Sequence, residues 1–346
     1  MLLQPCRLPE YSHHERLVDH SSAMILDRSN KPLISLYRMR SRGFLNSVSS
    51  RRVFEGALIR DGDGYGCIHP WPELGDPPLD KCLADLQGER RWPIVRRALR
   101  CAEYDAAARQ REESLFEEME VPESHATLIS GDHADIEAAV AAGFSMVKLK
   151  RGRDLEREAR ALEDAAASFP QLRWRLDFNE VPDLATVTKF LQSLTPSTRA
   201  AIDYIEDPCP FAEGAWEELH RKTRLPLAVD REAAPHRQAA QVTVIKPAID
   251  EPYLLGEAAI AHRQRVVVTS YMDHPFGQAF AAWEAARLEL QFPGLVGVCG
   301  LQTHHLFEVE GVPIHGGPWS PTFRVPEGTG LGFDDYLDSL PWTRLY

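Results

Sequence analysis

No stretch of the sequence approaches the roughly 18 consecutive apolar residues that a membrane-spanning helix requires, so a helical membrane protein is excluded and a soluble one expected. The start, Met1-Leu2-Leu3-Gln4-Pro5-Cys6-Arg7 with Pro9 and Glu10 close behind, lacks the basic lead and apolar middle of a secretory signal. Six cysteines (Cys6, Cys67, Cys82, Cys101, Cys209 and Cys299) are scattered without a C-x-x-C pair, which argues against both a zinc site and a disulfide scaffold. Together these features predict reduced thiols in a cytoplasmic protein. No G-x-G-x-x-G follows a strand-like run, so dinucleotide chemistry is not expected. Positive charge is also short: 39 Lys and Arg stand against 51 Asp and Glu, a net charge of −12 with His neutral. Neither nucleic acid nor an anionic membrane is an expected partner.

What is present is the composition of a folded protein: 346 residues, 44% hydrophobic and 26% charged. That length suits two domains, and an α/β barrel alone can use about 200–250 residues. Residues 1–31 are polar and lack periodicity, as in an N-terminal extension. Strand-like runs follow at 33–39 and 53–60, and Asp61-Gly62-Asp63-Gly64-Tyr65-Gly66 turns a hairpin that returns through Cys67 and Ile68. Helical spacing covers 79–86 and 93–118, so residues 32–124 predict a small α+β domain. From His125 strand-like runs (126–129, 146–150, 173–178, 201–206, 225–229, 242–246, 266–270, 296–299) alternate with helical ones (132–142, 154–169, 183–194, 215–221, 236–240, 253–264, 277–291). Eight strands and seven helical connections predict an α/β barrel over 125–303, with an open doubly wound sheet as the alternative. The Gly- and Pro-rich residues 304–346 are expected to fold back over the first domain.

In a parallel barrel the loops at the C-terminal strand ends build the active site, and here six strands in succession end in polar or charged residues. Asp177, Glu206 and Asp230 come from three consecutive strands, so their carboxylates would converge in a closed barrel. Three unpaired anions at close range repel, and a divalent cation resolves the repulsion. All-oxygen ligation suits Mg²⁺, with Mn²⁺ as a substitute. The competing reading pairs these carboxylates with Arg173, Arg175 or Arg231 at the surface. Lys148 and Lys150 are two apart and share one strand face, while Lys246 projects from across the barrel. Ammonium groups near a dication and near each other should have depressed pKa values, leaving a lysine available as a base near neutral pH. Taken alone, Lys148 and Lys150 read better as solvated lysines running on into Arg151.

K-x-K at 148–150, D-x-N at 177–179, Glu206 before Asp207-Pro208, Asp230 after an apolar strand and Ile245-Lys246-Pro247, in this order, resemble the enolase superfamily from about Leu33 onward. The resemblance implies a (β/α)7β modified TIM barrel, closed by an α+β capping domain built from the N-terminal segment and the chain's end. The single lysine of Ile245-Lys246-Pro247 and the run Thr269-Ser270-Tyr271-Met272-Asp273-His274-Pro275-Phe276-Gly277 are similar to the o-succinylbenzoate synthase family of the muconate lactonizing enzyme subgroup. That family implies a carbon–oxygen lyase of menaquinone biosynthesis. Its reaction is the Mg²⁺-dependent syn-dehydration of 2-succinyl-6-hydroxy-2,4-cyclohexadiene-1-carboxylate to o-succinylbenzoate through a metal-stabilised enediolate. By the same resemblance Lys150 is the base and then aids the leaving hydroxyl, Lys246 stabilises the anion from the other face, and Lys148 holds Lys150 and the carboxylate. Asp177, Glu206 and Asp230 are the metal ligands, Asn179 supports them, and Thr269, Ser270 and Arg42 meet the substrate. The expected partner is a small-molecule carboxylate, bound by a monomer or a homo-oligomer.

Two positions depart from the family pattern. Asp230-Arg231-Glu232 stands where the family has D-E-S, so either Arg231 turns outward or Glu232 partly substitutes. The hairpin through Gly64, Gly66 and Pro70 lacks the glutamate of the family's G-x-G-E. Residues 42–50 are basic enough to meet a succinyl carboxylate, and equally read as a surface hairpin. Cys209 reads as a small buried side chain rather than a reactive thiol. A racemase or epimerase of N-acyl amino acids or dipeptides would need only Lys150 and Lys246, although Pro247 departs from that pattern. A sugar-acid dehydratase would want a His–Asp dyad, for which His274 is misplaced. An inert barrel acting as a binding protein would have no need of three carboxylates and three lysines at strand ends.

Overall fold

The structure, a computed structural model, describes residues 31–46, 49–230, 238–308 and 319–345. The expected N-terminal extension, apart from its last residue, lies outside the described residues. So do Cys6, Arg231, Glu232 and the start of the helix expected at 236–240.

The alternating pattern after residue 32 forms an antiparallel meander of β1 (Leu33–Arg40), β2 (Val53–Asp61) and β3 (Gly64–Ile68). Leu33 pairs with Arg60 across β1 and β2, and Ala57 with Ile68 across β2 and β3. Gly62, at φ 62°, supplies the left-handed residue of the two-residue turn. The helices α1 (Leu79–Gln87) and α2 (Pro93–Arg109) follow, and α2 buries Ile94, Val95, Ala98, Cys101 and Ala102. Its small residues let β3 lie directly on the helix backbone: a Cβ at Gly66 would stand 2.1 Å from the carbonyl oxygen of Ala98. Gly66→Ala is therefore expected to force the helix off the strand and cost about 1–3 kcal/mol or more. Urea unfolding measures this, and wild-type stability in the variant would show that the contact relaxes freely.

The helix expected to reach residue 118 stops at Arg109. Beyond it Ser114 bridges to Gly330, with Leu115 N donating to Gly330 O and Gly330 N to Glu113 O, so the tail claims these backbone groups. The chain's end returns as expected, through α10 (Asp334–Ser339) and a last strand, β11 (Thr343–Arg344), which pairs with β1 at Leu33.

From residue 126 the described elements are β4 (Ala126–Leu128), α3 (His133–Ala141), β5 (Met146–Lys150), α4 (Leu155–Ser168), β6 (Arg173–Asp177), α5 (Leu184–Ser193), α6 (Pro196–Ala201), β7 (Ile202–Glu206), α7 (Glu213–Thr223), β8 (Leu227–Val229), β9 (Val242–Ile245), α8 (Pro252–Ala261), β10 (Arg265–Val268) and α9 (Pro275–Gln291). The seven strands β4 to β10 pair in sequence order, all parallel. The open-sheet alternative is excluded by what closes them. The expected eighth strand at 296–299 is not a regular strand: Val296 and Gly300 bridge to Val266 and Thr269 beside β10, and Cys299 bridges to Ser124 ahead of β4. His125 N donates to Cys299 O at 2.7 Å, and Gly300 N to Val268 O at 2.9 Å. The glycines of Val296-Gly297-Val298-Cys299-Gly300 permit this irregular seam, since a Cβ at Gly300 would lie 2.7 Å from the His125 ring.

The short α6 was not expected from the sequence, although Thr195, whose side chain accepts from Thr198 N, and Pro196 at the first helical position are a recognisable start. One apolar core fills the space between β4–β8 and helices α3–α7. A second joins α9 and β10 to Leu58, Tyr65 and Cys67 of the antiparallel sheet and to Leu331 and Leu337 of the tail. The cysteines Cys67, Cys82, Cys101, Cys209 and Cys299 are buried and free of disulfides. Among the described residues no helix is long and apolar enough to cross a membrane.

Candidate active site

Strand register lines up the charged ends. Lys150 pairs with Asp177, Asp177 with Glu206, and Glu206 with Ala228, two residues before Asp230. Lys148 Nζ lies 2.5 Å from Glu206 Oε1 and 2.9 Å from Asp177 Oδ2. Lys150 Nζ is 2.5 Å from the same Asp177 oxygen, and Lys246 Nζ is 2.5 Å from Asp230 Oδ2. With the seam counted as an eighth position, β5 and β9 are four places apart. Lys150 and Lys246 therefore approach from opposite sides of the barrel. The chain has only seven lysines in all, and three of them meet here.

Burial, which alone would raise a carboxyl, is overcome at Asp177, where Lys148 and Lys150 hold the group well below the usual carboxylate range. Burial and repulsion from Asp177 push Glu206 the other way, despite Lys148. Asp230 is lowered, because Lys246 outweighs its burial. A fourth carboxyl, Asp207, is buried beside them and raised by burial and by Asp230; it accepts the Asp230 N–H at 3.0 Å. Four carboxyl groups thus face three ammonium groups. Burial does lower Lys148 and Lys246, but Asp177 and Glu206 raise the first and Asp230 the second above the ordinary ammonium value.

Among the described residues no three His, Cys, Asp or Glu side chains are gathered as a ready metal cage, because the carboxylates are turned to the lysines. Yet Glu206 Oε2 and Asp230 Oδ1 are buried with no hydrogen-bond partner. A buried, unpaired carboxylate oxygen is costly, and a cation bound between them removes that cost. The donor set, hard oxygen with excess negative charge, therefore fits Mg²⁺.

The remaining expected residues fall differently. Asn179 N donates to Asp177 Oδ1 at 3.0 Å, from a left-handed backbone at φ 48° that asparagine tolerates. Thr269 and Ser270 are buried just past β10; Ser270 Oγ is 2.9 Å from Thr303 Oγ1, and Thr269 Oγ1 has no partner. Arg42 is exposed, and its Nε donates to Phe307 O at 3.1 Å; no contact among the described residues brings it to the lysines. The alternative partners for the carboxylates are taken elsewhere: Arg175 binds Asp203 and Arg173 binds the carbonyls of Ala200 and Ile202. Sequence reasoning missed Asp207, Tyr271 and Asp250, whose Oδ2 accepts the Lys246 N–H at 2.7 Å. Asp207 at least was visible, directly behind Glu206.

Comparison with known proteins supplies the relationship. The family described as "O-succinylbenzoate synthase, N-terminal domain" matches residues 32–108, and "Enolase C-terminal domain-like" matches 132–246. An o-succinylbenzoate synthase of Bdellovibrio bacteriovorus is 32% identical over 90% of this chain and 97% of its own length. One from Pasteurella multocida is 26% identical over 79% of this chain and 87% of its own. Among solved structures, a dipeptide epimerase of Enterococcus faecalis complexed with Mg and a dipeptide superposes with a TM-score of 0.73 at 15% identity, covering 87% of this chain and 98% of that one. The shared architecture is that of enolase-superfamily barrels. By its near full-length similarity to the Bdellovibrio enzyme, this chain belongs to the o-succinylbenzoate synthase family of the enolase superfamily.

Proposed function

We propose that the protein is a cytoplasmic o-succinylbenzoate synthase of menaquinone biosynthesis, dehydrating 2-succinyl-6-hydroxy-2,4-cyclohexadiene-1-carboxylate. The observation that carries the reading is the pair Lys150 and Lys246, opposed across the buried carboxylates Asp177, Glu206 and Asp230. Residues 125–303 form the catalytic barrel in this proposal, and 32–124 with 304–346 its cap.

Asp177, Glu206 and Asp230 would hold Mg²⁺, with Mn²⁺ as a substitute, which when bound supplies positive charge beside the substrate's carboxylate and so acidifies its α-proton. Lys150, in its neutral form, takes that proton. The same ammonium then returns it to the hydroxyl on the same face, and water leaves as the ring becomes aromatic. Lys246 stays protonated and presents its charge to the opposite face of the ring. Lys148 stays protonated between Asp177 and Glu206 and holds both carboxylates in place beside Lys150. Asn179 fixes the Asp177 carboxylate through its backbone N–H, and Thr269 and Ser270 line the mouth.

The test is a spectrophotometric assay of the purified protein with the cyclohexadiene carboxylate. Turnover is expected with Mg²⁺, lost in EDTA and restored by excess Mg²⁺ or Mn²⁺. No turnover with Mg²⁺ sinks the synthase reading. The opposed lysines would also serve a two-base racemase, for which α-proton exchange of N-acyl amino acids or dipeptides in D₂O is the assay.

A further inference from the structure

Tyr271 follows Ser270 in the segment after β10 and is only 5% exposed. Its ring centroid lies 5.6 Å from Lys246 Nζ. Its hydroxyl donates to Asp76 Oδ2 at 2.8 Å, and its carbonyl accepts from Trp71 Nε1 at 2.9 Å. Asp76 Oδ2 also accepts the Trp71 N–H at 2.9 Å. Trp71 and Asp76 lie between β3 and α1; Trp71 is fully buried, 4.6 Å from the Phe54 ring of β2. The tyrosine is thus gripped at both ends by the antiparallel-sheet unit while one face meets a barrel lysine. A second tie reaches the next residue: Arg97 of α2 donates from Nε to Pro247 O at 2.9 Å.

We propose that Tyr271 is a positioning residue that aims the ammonium of Lys246 through a cation–π contact, and that Asp76 makes this placement depend on docking of the antiparallel sheet against the barrel. The proposal rests on the reading of Lys246 as the charge that faces the substrate ring. A lysine has four rotatable bonds, and one carboxylate contact fixes a point without fixing a direction. An aromatic face beneath the ammonium supplies the second constraint. Phenylalanine would supply the face but could not be held in place, whereas a tyrosine hydroxyl takes a hydrogen-bond partner. Asp76 is that partner, contributed from almost 200 residues earlier in the chain.

The seven lysines make the contact readable by NMR of protein labelled with [ε-¹³C]lysine, the Lys246 signal being assigned by its loss in Lys246→Arg. In the wild type that signal is expected upfield, moved by the Tyr271 ring current. The shift should disappear in Tyr271→Leu and diminish in Tyr271→Phe, which keeps the ring and loses the tether. Asp76→Asn, which retains an acceptor oxygen, should stay close to wild type. In kinetics, Tyr271→Leu should lower kcat by about tenfold or more with KM nearly constant, because misplaced groups lose rate rather than binding. Tyr271→Phe should fall between, and it stands in for the leucine variant if that one fails to fold. An identical Lys246 signal in Tyr271→Leu and wild type, or a loss confined to KM, overturns the proposal. The NMR readout needs no turnover, so the two failures separate. Shift without synthase activity overturns the synthase reading alone, and activity without the shift overturns the Tyr271 contact alone.

Discussion

Lys150→Ala is expected to remove turnover by about 10²–10⁴-fold or more while leaving the protein folded. The chemical half follows from the proposed role: without Lys150, Lys148 is the one amine left on that strand among the described residues, and it stays charged between Asp177 and Glu206. The structural half follows from the pairing. Asp177 loses one ammonium partner in the variant and keeps Lys148 at 2.9 Å, so no buried carboxylate is stranded. Lys148→Ala is the contrast, since among the described residues it removes the only ammonium paired with Glu206 and one of two on Asp177, both fully buried. Breaking a buried pair from one side costs about 3–5 kcal/mol, so that variant should lose stability as well as rate. Rates with the cyclohexadiene carboxylate, set beside urea unfolding of both variants, check the pair of expectations. A Lys150→Ala enzyme within tenfold of wild type would mean that the proton leaves by another route.

The ends of the strands were readable because β-structure alternates and a parallel barrel gathers its strand ends at one mouth. That logic located Lys148, Lys150, Asp177, Glu206, Asp230 and Lys246, all of which the structure brings into one connected cluster or its rim. It could not tell that the lysines would be held as ion pairs. The balance between burial and neighbouring charge depends on distances that no spacing rule supplies. Tyr271 carries no sign of its role in the sequence, since its placement arises from Asp76 and Trp71, in the loop between β3 and α1 nearly 200 residues away. The irregular seam was hidden for the opposite reason. Val296-Gly297-Val298-Cys299 looks like a buried strand by composition, and its glycines decide the backbone only once His125 is seen against Gly300. Likewise helix α2 closes after Arg109 in a local turn with Glu112 left-handed at φ 57° and Glu113 N donating to Ala108 O, a turn that carries no glycine or proline to mark it, and Gly330 takes up the backbone beyond it.

Arg175 of β6 is wholly buried inside the barrel, and breaking its pairing carries an expected loss of stability as large as that of Lys148→Ala. Its Nε donates to Asp203 Oδ2 at 2.8 Å, one terminal nitrogen lies 2.7 Å from His125 Nδ1 and donates to Val298 O at 2.7 Å, and its plane lies over the Tyr204 ring. One side chain thus joins β6 and β7 to both edges of the seam that closes the barrel. Burial and the neighbouring Arg175 keep His125 well below its ordinary pKa, so the ring is neutral and Asp203 is the guanidinium's counter-charge. Asp203→Ala leaves Arg175 charged and unpaired in the interior, an expected loss of about 3–5 kcal/mol, of which Asp203→Asn recovers the hydrogen bond and not the charge. The pH dependence carries the sign. Burial opposes ionisation of Asp203, but Arg175 and Arg265 together hold it below the ordinary carboxylate value. Its contribution is therefore present above the unfolded value of about 3.9 and is lost as pH falls through the lower folded value. The stability gap between wild type and Asp203→Asn should narrow in acid and be constant near neutrality, as urea unfolding across pH would read. A gap below about 1 kcal/mol at neutral pH would mean that Val298, His125 and Tyr204 satisfy Arg175 without a counter-charge, and that the seam is held by hydrogen bonds alone.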